Sequence, residues 1–209
     1  MTIAKTKTLY IVRHGQTDYN LNGYVQGRRI DADLNGTGQA QARALFDAYE
    51  LERFDRCFVS TLKRTHQTVA AFAEAGVPVS PLSGFDELDY GYFEGKLIEL
   101  DEEFNYPALM REWDKGKTDM SAPEGESPED VSRRQKAALA EVLAHDGDKF
   151  MICMHSRAIR ILLCGMMGRP LTEMKDFGPA NTGVTQVRCH VEDGRFELLR
   201  FNDLSHLEA

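Results

Sequence analysis

The sequence predicts an α/β protein in which a mostly parallel central sheet is flanked by helices on both faces, a three-layer sandwich. Residues 9–12 and 150–154 are short, continuous apolar runs, which are typical of strands that a sheet buries on both faces. Strand-like and helix-like segments alternate along the chain, the order that parallel strands with helical crossovers produce. No linker, repeat or low-complexity segment interrupts this order, so we expect residues 1–209 to form a single domain.

The first half of the chain is predicted to contain three strands and two helices. Ser60 is a good N-cap for the second helix, and Gly76 is a good residue to end it. Two prolines in the third strand favour a place at the sheet edge, because proline cannot donate a ladder hydrogen bond. The predicted elements are a strand at residues 9–12, a polar loop at 20–33, a helix at 39–46, a strand ending at 58–59, a helix at 61–75 and an extended segment at 77–82.

The second half is predicted to begin with an irregular excursion and then to return to the sheet. Residues 91–127 mix aromatic, charged, glycine and proline residues, so we expect a lid-like excursion over the site. Ser127 as N-cap and Pro128 at the first helical position begin the longest helix. The predicted elements are short helices near 97–104 and 107–113, a helix at 128–144, a strand at 150–154, a helix at 157–167 closed by Gly168, and a hairpin of strands 183–191 and 195–201.

Composition and charge restrict the partners and the location of the protein. A formal net charge of -8 argues against nucleic acid or an anionic membrane as the main partner, so a local cluster of cations must capture an anionic substrate. No stretch has the apolar length of a signal peptide or a membrane span. We expect a cytoplasmic protein with reduced thiols, because no C-x-x-C pair occurs among Cys57, Cys153, Cys164 and Cys189.

Candidate site residues follow four predicted strands at the point where each strand ends. They are Arg13, His14 and Gly15 after the first strand, Arg64 in the helix after the second, Glu87 after the edge segment, and His155 after the fourth. Ligands of open α/β sheets bind beyond the carboxyl ends of the strands, so we expect these side chains to converge. Gly15 would let the backbone approach such a ligand closely.

This set of side chains suits phosphoryl transfer without a metal. Two arginines neutralise the phosphate, one histidine attacks phosphorus, the second donates to the equatorial oxygens, and the carboxyl group protonates the departing oxygen. His14 is favoured as the nucleophile, because the adjacent Arg13 disfavours its protonated form. Each residue alone also fits a structural role: an arginine paired with an acid, a capping or core histidine, a surface arginine, a loop carboxylate. Their joint place at equivalent strand ends favours a site.

Five ordered motifs resemble those of the histidine phosphatase superfamily, also called phosphoglycerate-mutase-like. The resemblance extends from residue 8 to about residue 165 and implies that family's α/β fold. The motifs are LYIVRHGQT at 9–17 followed by Asn20 and Gln26-Gly27, STLKRTHQT at 60–68, FDELDYGYFEG at 85–95, Gly125-Glu126-Ser127, and Met154-His155.

The resemblance implies a covalent phosphohistidine on His14 and an acid/base role for Glu87. It implies that the remaining site residues hold the phosphoryl group or the rest of the ligand. These are Arg13, Arg64 and His155 with Asn20 assisting, and then Gly15, Gln26, Gly27, Ser156 and Arg157. The resemblance implies that no metal is needed, and we expect no cofactor for this chain. The other four histidines of this chain, His66, His145, His190 and His206, are scattered without metal-ligand spacing.

Two departures from the family pattern bear on the reaction. Small residues usually follow the family's second histidine, but Arg157 stands two residues after His155. It is either an extra anion clamp or a solvated arginine in the first turn of a helix. The mutase branch has an arginine directly after its acid, whereas Leu88 and Asp89 follow Glu87 here. A mutase needs cations to hold its dephosphorylated intermediate, so the sequence favours hydrolysis.

We therefore predict a metal-independent phosphatase acting on a small phosphomonoester, with a mutase or a catalytically silent phospho-ligand binder as the alternatives. Two patterns typical of other phosphatase families occur in the sequence, but the residues around them do not fit those families. The C-x5-R spacing of Cys189 and Arg195 lies in a predicted hairpin with two acids in its loop, and Asp31 lacks a preceding apolar strand. The expected partner is a small phosphorylated substrate, not nucleic acid or a membrane. The terminal hairpin is either a capped edge or a homodimer interface.

Overall fold

A computed structural model describes residues 5–98 and 105–208, and within them it contains a six-stranded sheet. The strands are β1 (Thr6–Arg13), β2 (Arg56–Val59), β3 (Val79–Pro81), β4 (Lys149–Met154), β5 (Val184–His190) and β6 (Arg195–Asp203). Their order in space is β3-β2-β4-β1-β5-β6. The first four are mutually parallel, β5 pairs antiparallel with β1, and β6 pairs antiparallel with β5. The prediction of a mostly parallel sheet is confirmed.

Helices cover both faces of this sheet, because the central strands are apolar on both sides. In β1, Leu9 and Ile11 face one core and Tyr10 and Val12 face the other. The first core packs against α5, α6 and α7, and the second packs against α2 and α4. The helices are α1 (Asp18–Leu21), α2 (Gly36–Tyr49), α3 (Lys63–Thr68), α4 (Ala70–Glu74), α5 (Tyr106–Asp114), α6 (Pro128–Ala144) and α7 (Ser156–Met167), with 3-10 turns at Glu50–Glu52, Ser83–Phe85, Gly91–Phe93, Leu171–Asp176 and Ser205–Leu207.

The predicted helix at 61–75 differs from the structure at its start and in its middle, since it begins at Lys63 and is divided into α3 and α4 at Val69. Ser60 is not its N-cap: the Ser60 hydroxyl accepts a hydrogen bond from the Leu62 amide, and the helix begins one residue later. The predicted loop at 20–33 overlaps the short helix α1, which Thr17 caps. Helix α2 begins before the predicted residue 39, because Asn35 accepts the amide of Gly38.

The remaining predicted elements are confirmed, apart from one helix. Ser127 caps α6 through a capping box with Asp130, and Gly168 ends α7 with a φ of 64°. The β5–β6 hairpin and α5 lie where the pattern predicts them. The predicted helix at 97–104 lies almost entirely outside the described residues.

The carboxyl ends of β1, β2 and β4 meet at one edge of the sheet. The amide of His14, directly after β1, donates to the carbonyl of Met154 at 3.0 Å, and the amide of Ser60, directly after β2, donates to the carbonyl of Cys153 at 3.2 Å. The parallel register therefore brings the residues that follow three strands into one crevice. In the described part of the chain, no helix is both long and apolar enough to cross a membrane.

Candidate active site

A cavity of about 190 Å³ opens beyond the carboxyl ends of β1 and β4. Seven of the predicted site residues line it: Arg13, His14, Asn20, Gln26, Glu87, Ser156 and Arg157. The described residues that sequence reasoning missed are Tyr24, Val25, Tyr90, Ile98, Tyr106 and Arg160. Two signals could have found some of them. Arg160 follows Arg157 at helical spacing, and Tyr90 lies within the motif that contains Glu87.

The His14 ring is held in one tautomer by a main-chain carbonyl. Nδ1 of His14 lies 2.7 Å from the carbonyl oxygen of Gly15, and this oxygen can only accept, so Nδ1 carries the proton and Nε2 carries a lone pair. The residue is 3% exposed. Burial, followed by the charges of Arg64 and Arg13, lowers its pKa well below the ordinary value. The ring is therefore neutral at physiological pH and keeps an unprotonated nitrogen at the cavity wall.

Two side chains that line the cavity each carry a buried donor with no hydrogen-bond partner among the described residues. They are Nε of Arg13 and Nε2 of Gln26. The neighbouring atoms of both side chains are fixed: Nη1 of Arg13 donates to the Pro179 carbonyl at 3.1 Å, and Oε1 of Gln26 accepts from Thr17 at 2.7 Å and from Asn20 at 3.3 Å. Unpaired buried donors are rare in folded proteins, so these two mark a place for an acceptor such as a phosphoryl oxygen.

Arg64 and His155 are expected at the cavity, but both lie behind its wall and neither is exposed. Nε of Arg64 donates to Nδ1 of His155 at 3.1 Å, and the other two guanidinium nitrogens donate to carbonyls of Ile30 and Gly27. Nε2 of His155 therefore carries the proton and donates to Oγ of Ser60 at 2.8 Å. Helix α3 packs so that its buried Arg64 side chain reaches His155. His155 supports the His14 ring, with the two ring centroids 5.1 Å apart, and Arg64 orients His155.

Gly15 and Gly27 are also predicted at the ligand, and neither lines the cavity. A Cβ on Gly15 would lie 2.6 Å from the carbonyl oxygen of Gly38, and one on Gly27 would lie 2.2 Å from Oε1 of Glu94. Because Gly15 has no side chain, the loop after β1 can pack against the start of α2. Because Gly27 has no side chain, the 23–30 loop can pack against Glu94. Both glycines therefore allow close packing beside the cavity without lining it.

Glu87 lines the cavity and also caps helix α7. One carboxylate oxygen accepts the amides of Leu88 and Ala158 at 2.9 and 3.0 Å, and the other accepts the amide of Arg157 at 3.1 Å. The side chain is thus fixed at a helix N-terminus, where the helix dipole favours a negative charge. Its main chain is held by Arg134, which donates to the carbonyls of both Asp86 and Glu87.

Arg157 enters the cavity, which settles one of the two alternatives left by the sequence. Its Nη2 lies 2.8 Å from Sδ of Met110 and 3.4 Å from the hydroxyl of Tyr106, and its guanidinium lies over the ring of Trp113 at 5.3 Å. Arg160 lines the same cavity, and burial together with the charge of Arg157 lowers its pKa. The solvated alternative for Arg157 is therefore wrong.

Asp89 follows Glu87 closely in the sequence, but its carboxylate does not face the cavity. Its carboxylate pairs with Arg29 at 2.9 Å and accepts the amide of Gly91 at 2.8 Å, and it is absent from the cavity lining. Arg29 also contacts Glu124, so the charge of Asp89 is compensated away from the site. Asp89 therefore does not repel a ligand carboxylate at the site.

The cysteines and the scattered histidines form neither a disulfide nor a metal site among the described residues. The four cysteines are free and buried, and burial raises the pKa of the Cys57 thiol to about 12. Cys189 and Arg195 belong to the β5–β6 hairpin, as predicted. Between residues 5–98 and 105–208, no three His, Cys, Asp or Glu side chains come together as metal ligands.

The chain is similar to known phosphatases over nearly its whole length. The profile of the histidine phosphatase superfamily (branch 1) matches residues 9–204. The chain is 31% identical to phosphoserine phosphatase 1 of Hydrogenobacter thermophilus, over 95% of this chain and 93% of that protein. It is 30% identical to a probable phosphoglycerate mutase of Klebsiella pneumoniae, over 96% of this chain and 95% of that protein.

A solved structure has a similar fold. It is a phosphoserine phosphatase from Entamoeba histolytica in complex with 3-phosphoglyceric acid, 26% identical to this chain with a TM-score of 0.80. The match covers 96% of this chain and 99% of that one.

Proposed function

Because the chain belongs to the histidine phosphatase superfamily, we propose that it hydrolyses small phosphomonoesters through a phosphohistidine formed on His14. The observation that carries the proposal is the tautomer of the His14 ring. Nδ1 carries the proton and donates it in a hydrogen bond to the Gly15 carbonyl, which leaves Nε2 free to attack phosphorus. The unpartnered donors of Arg13 and Gln26 in the same cavity are suited to phosphoryl oxygens.

In the first half-reaction, Nε2 of His14 forms a bond to phosphorus as the bond from phosphorus to the ester oxygen breaks. Glu87 in its protonated form gives its proton to the departing oxygen, so the alcohol leaves as a neutral molecule. Arg13 and Gln26 donate to the phosphoryl oxygens and stabilise their negative charge. The proton stays on Nδ1, and the hydrogen bond that it donates to the Gly15 carbonyl stabilises it while the ring carries the phosphoryl group.

In the second half-reaction, a water molecule attacks phosphorus and Glu87 accepts one of its protons. The bond between phosphorus and Nε2 breaks, which releases inorganic phosphate and returns His14 to its neutral state. Glu87 is again protonated, so the cycle is balanced in protons. Arg64 and His155 act in both halves as positioning residues, since His155 lies beside the His14 ring and Arg64 holds His155 in place.

The similar proteins guide the choice of the first substrates. A bacterial relative and a solved neighbour are named as phosphoserine phosphatases, and that neighbour was crystallised with 3-phosphoglyceric acid. We therefore infer that phosphoserine and 3-phosphoglycerate belong in the first hydrolysis screen, beside sugar phosphates and nucleotides. The release of inorganic phosphate identifies a substrate.

Rapid-quench trapping tests the role of His14. Wild type mixed with radiolabelled substrate should give acid-labile, base-stable phosphate on the protein within one turnover. His14→Ala should give none and should lose more than about a thousandfold in kcat/KM, which corresponds to about 4 kcal/mol of activation free energy. His190→Ala, a histidine of β5 outside the cavity, is the matched control and should behave as wild type. Substantial turnover by His14→Ala would overturn the proposal.

A phosphoglycerate mutase reaction is the second candidate function, and one observation favours it. Arg157 and Arg160 give the cavity additional cations that could retain an acidic intermediate until it is rephosphorylated. Incubation with 3-phosphoglycerate and a bisphosphoglycerate primer separates the two reactions. We expect inorganic phosphate to form faster than 2-phosphoglycerate, and the reverse order would establish the mutase.

We also propose a cytoplasmic location and a small phosphorylated molecule as the partner. The support is the set of four unpaired, buried thiols and the acidic sequence. Fractionation of cells that produce the tagged full-length protein tests the location.

A further inference from the structure

Two arginines at the start of α7 make one side of the candidate cavity strongly cationic. Arg157 and Arg160 are three residues apart, which places both on the same face of the helix. Arg160 lies near Arg13: burial and then the charge of Arg160 lower the pKa of Arg13. Burial and then the charge of Arg157 lower the pKa of Arg160. Arg157 lies further along the wall, against Tyr106 and Trp113.

The guanidinium of Arg157 contacts neutral side chains within the described residues. These contacts include a thioether, two phenol hydroxyls and the face of an indole ring, on Met110, Tyr106, Tyr90 and Trp113. These groups fix the direction of the guanidinium but do not compensate its charge. A partly buried cation without an anionic partner is costly, and its planar fork of donors matches a carboxylate.

The carboxylates around the cavity leave the guanidinium of Arg157 without an anionic partner among the described residues. Three arginines line it, a fourth lies directly behind, and Glu87 is the single carboxylate among the described residues of the lining. Both oxygens of Glu87 already accept backbone amides, including that of Arg157 itself. The proposed function assigns the phosphoryl group to Arg13 at the His14 end of the cavity. No carboxylate among the described residues of the lining then remains as a partner for the guanidinium of Arg157.

We propose that Arg157 is a specificity-determining residue that binds a carboxylate of the substrate, and that the enzyme therefore selects short phosphomonoesters carrying a carboxylate. This inference rests on the proposed function, because it assumes that the phosphoryl group occupies the His14 and Arg13 end of the cavity. The volume of about 190 Å³ is below the 300 to 1,000 Å³ of pockets that hold drug-sized ligands, so the substrate is a short molecule. Tyr90 and Tyr106, whose rings are 5.2 Å apart, bound the carboxylate end.

Pairs of substrates that differ by the carboxylate alone test the inference on wild type, without any variant. Phosphoserine is compared with O-phosphoethanolamine, and 3-phosphoglycerate with glycerol 1-phosphate. A charge-assisted hydrogen bond to a buried site distinguishes two ligands by roughly 10- to 100-fold. We expect kcat/KM to be higher by about this factor for the carboxylate member of at least one pair. Equal values within both pairs would overturn the inference.

Arg157→Gln separates ligand binding from a structural role. The variant should lose roughly 10- to 100-fold in kcat/KM on the carboxylate member, mainly through KM, and change less than about threefold on the member without it. Arg157→Lys should recover part of the loss, because lysine keeps the charge but not the fork. The matched control is Arg111→Gln, an exposed arginine of α5 outside the cavity, which should alter neither substrate. An equal loss on both members would show that Arg157 is structural.

The failure of this inference can be told apart from the failure of the proposed function. Hydrolysis of both members at equal rates, with phosphohistidine trapped on His14, would remove the role of Arg157 and leave the phosphatase in place. No release of phosphate from any ester, with no trapped phosphate, would remove both.

Discussion

At the scale of single residues, the two buried histidines differ because different neighbours hold their protons. His14 donates from Nδ1 to a carbonyl, whereas His155 accepts at Nδ1 from Arg64 and donates from Nε2 to Ser60. The two neutral rings are therefore opposite tautomers, 5.1 Å apart. A lone pair at Nε2 belongs to His14 alone, which is why the nucleophile is assigned to that ring.

Glu87→Gln should separate the acid role of Glu87 from its role at the helix N-terminus. Glutamine keeps one acceptor for the amides of α7 but cannot give a proton to the leaving group. We expect a loss of roughly 100- to 10,000-fold in the formation of phosphohistidine from an alkyl phosphate. The loss should be much smaller with p-nitrophenyl phosphate, whose leaving group needs no proton.

The measurement for Glu87→Gln is the pre-steady-state burst, because it reports the first half-reaction alone. The burst of p-nitrophenolate should survive while later turnovers slow, since Glu87 also acts as the base toward water. If the burst were lost equally with alkyl and nitrophenyl esters, Glu87 would not be the acid.

At the scale of elements, the loop after β1 is held by a close contact with the first turn of α2. A Cβ on Gly38 would lie 2.1 Å from the carbonyl oxygen of Gln16, two residues after His14. Gly38→Ala must therefore displace backbone, and we expect a loss of about 1–3 kcal/mol in the free energy of unfolding. The activity should fall as well, because the loop carries His14. Urea unfolding and kcat/KM on the same samples measure both effects.

Gly36→Ala is the matched control, because Gly36 begins the same helix and a Cβ there would meet nothing within 4 Å. Alanine is a better helix former than glycine, so this variant should be neutral or gain up to about 1 kcal/mol. Equal destabilisation by the two substitutions would show that the contact with Gln16 does not matter.

At the scale of the whole molecule, the buried histidines make stability depend on pH. Burial is the main cause that lowers the pKa of both His14 and His155 well below the ordinary 6.5. Below that pH the two histidines bind protons in the unfolded chain but stay neutral in the folded protein. The free energy of unfolding therefore falls as the pH falls. Each such histidine removes about 1.4 kcal/mol between pH 7.5 and 5.5.

Comparison of His14→Gln with wild type isolates this effect. Burial raises the pKa of Glu94 to about 7, so the folded protein gains stability from Glu94 as the pH falls through 7 toward 4.5, with the opposite sign. Glu94 is present in both proteins, and its contribution cancels in the difference. The decrease in unfolding free energy from pH 7.5 to 5.5 should be smaller by about 1.4 kcal/mol in His14→Gln. Identical decreases would contradict the assignment of His14 as a buried neutral ring.

Activity should survive removal of divalent metals, since the proposed reaction uses only side chains of this chain. Phosphate release in the presence of excess EDTA should match that of untreated enzyme within about twofold. Added Mg²⁺, Mn²⁺ or Zn²⁺ should not increase it. Complete loss in EDTA followed by recovery with one of these ions would refute the mechanism.

The sequence by itself determined the sheet, most of its helices and the order of the site motifs. Apolar runs such as residues 9–12 predict strands because burial on both faces requires them, and the caps at Ser127 and Gly168 act within one turn. The family motifs along the chain identified His14, Arg13 and Glu87 as members of one site. These signals are local, so they can be read without knowledge of the fold.

Only the tertiary structure decided which of those residues reach the cavity. Arg64 and His155 are 91 positions apart, and their mutual hydrogen bond withdraws both from the lining. The entry of Arg157 and the turning of Asp89 toward Arg29, 60 positions away, also depend on the docking of distant segments. The direction of a long polar side chain is set by the partners that its surroundings supply. Those partners come from remote parts of the chain, so no local pattern specifies them.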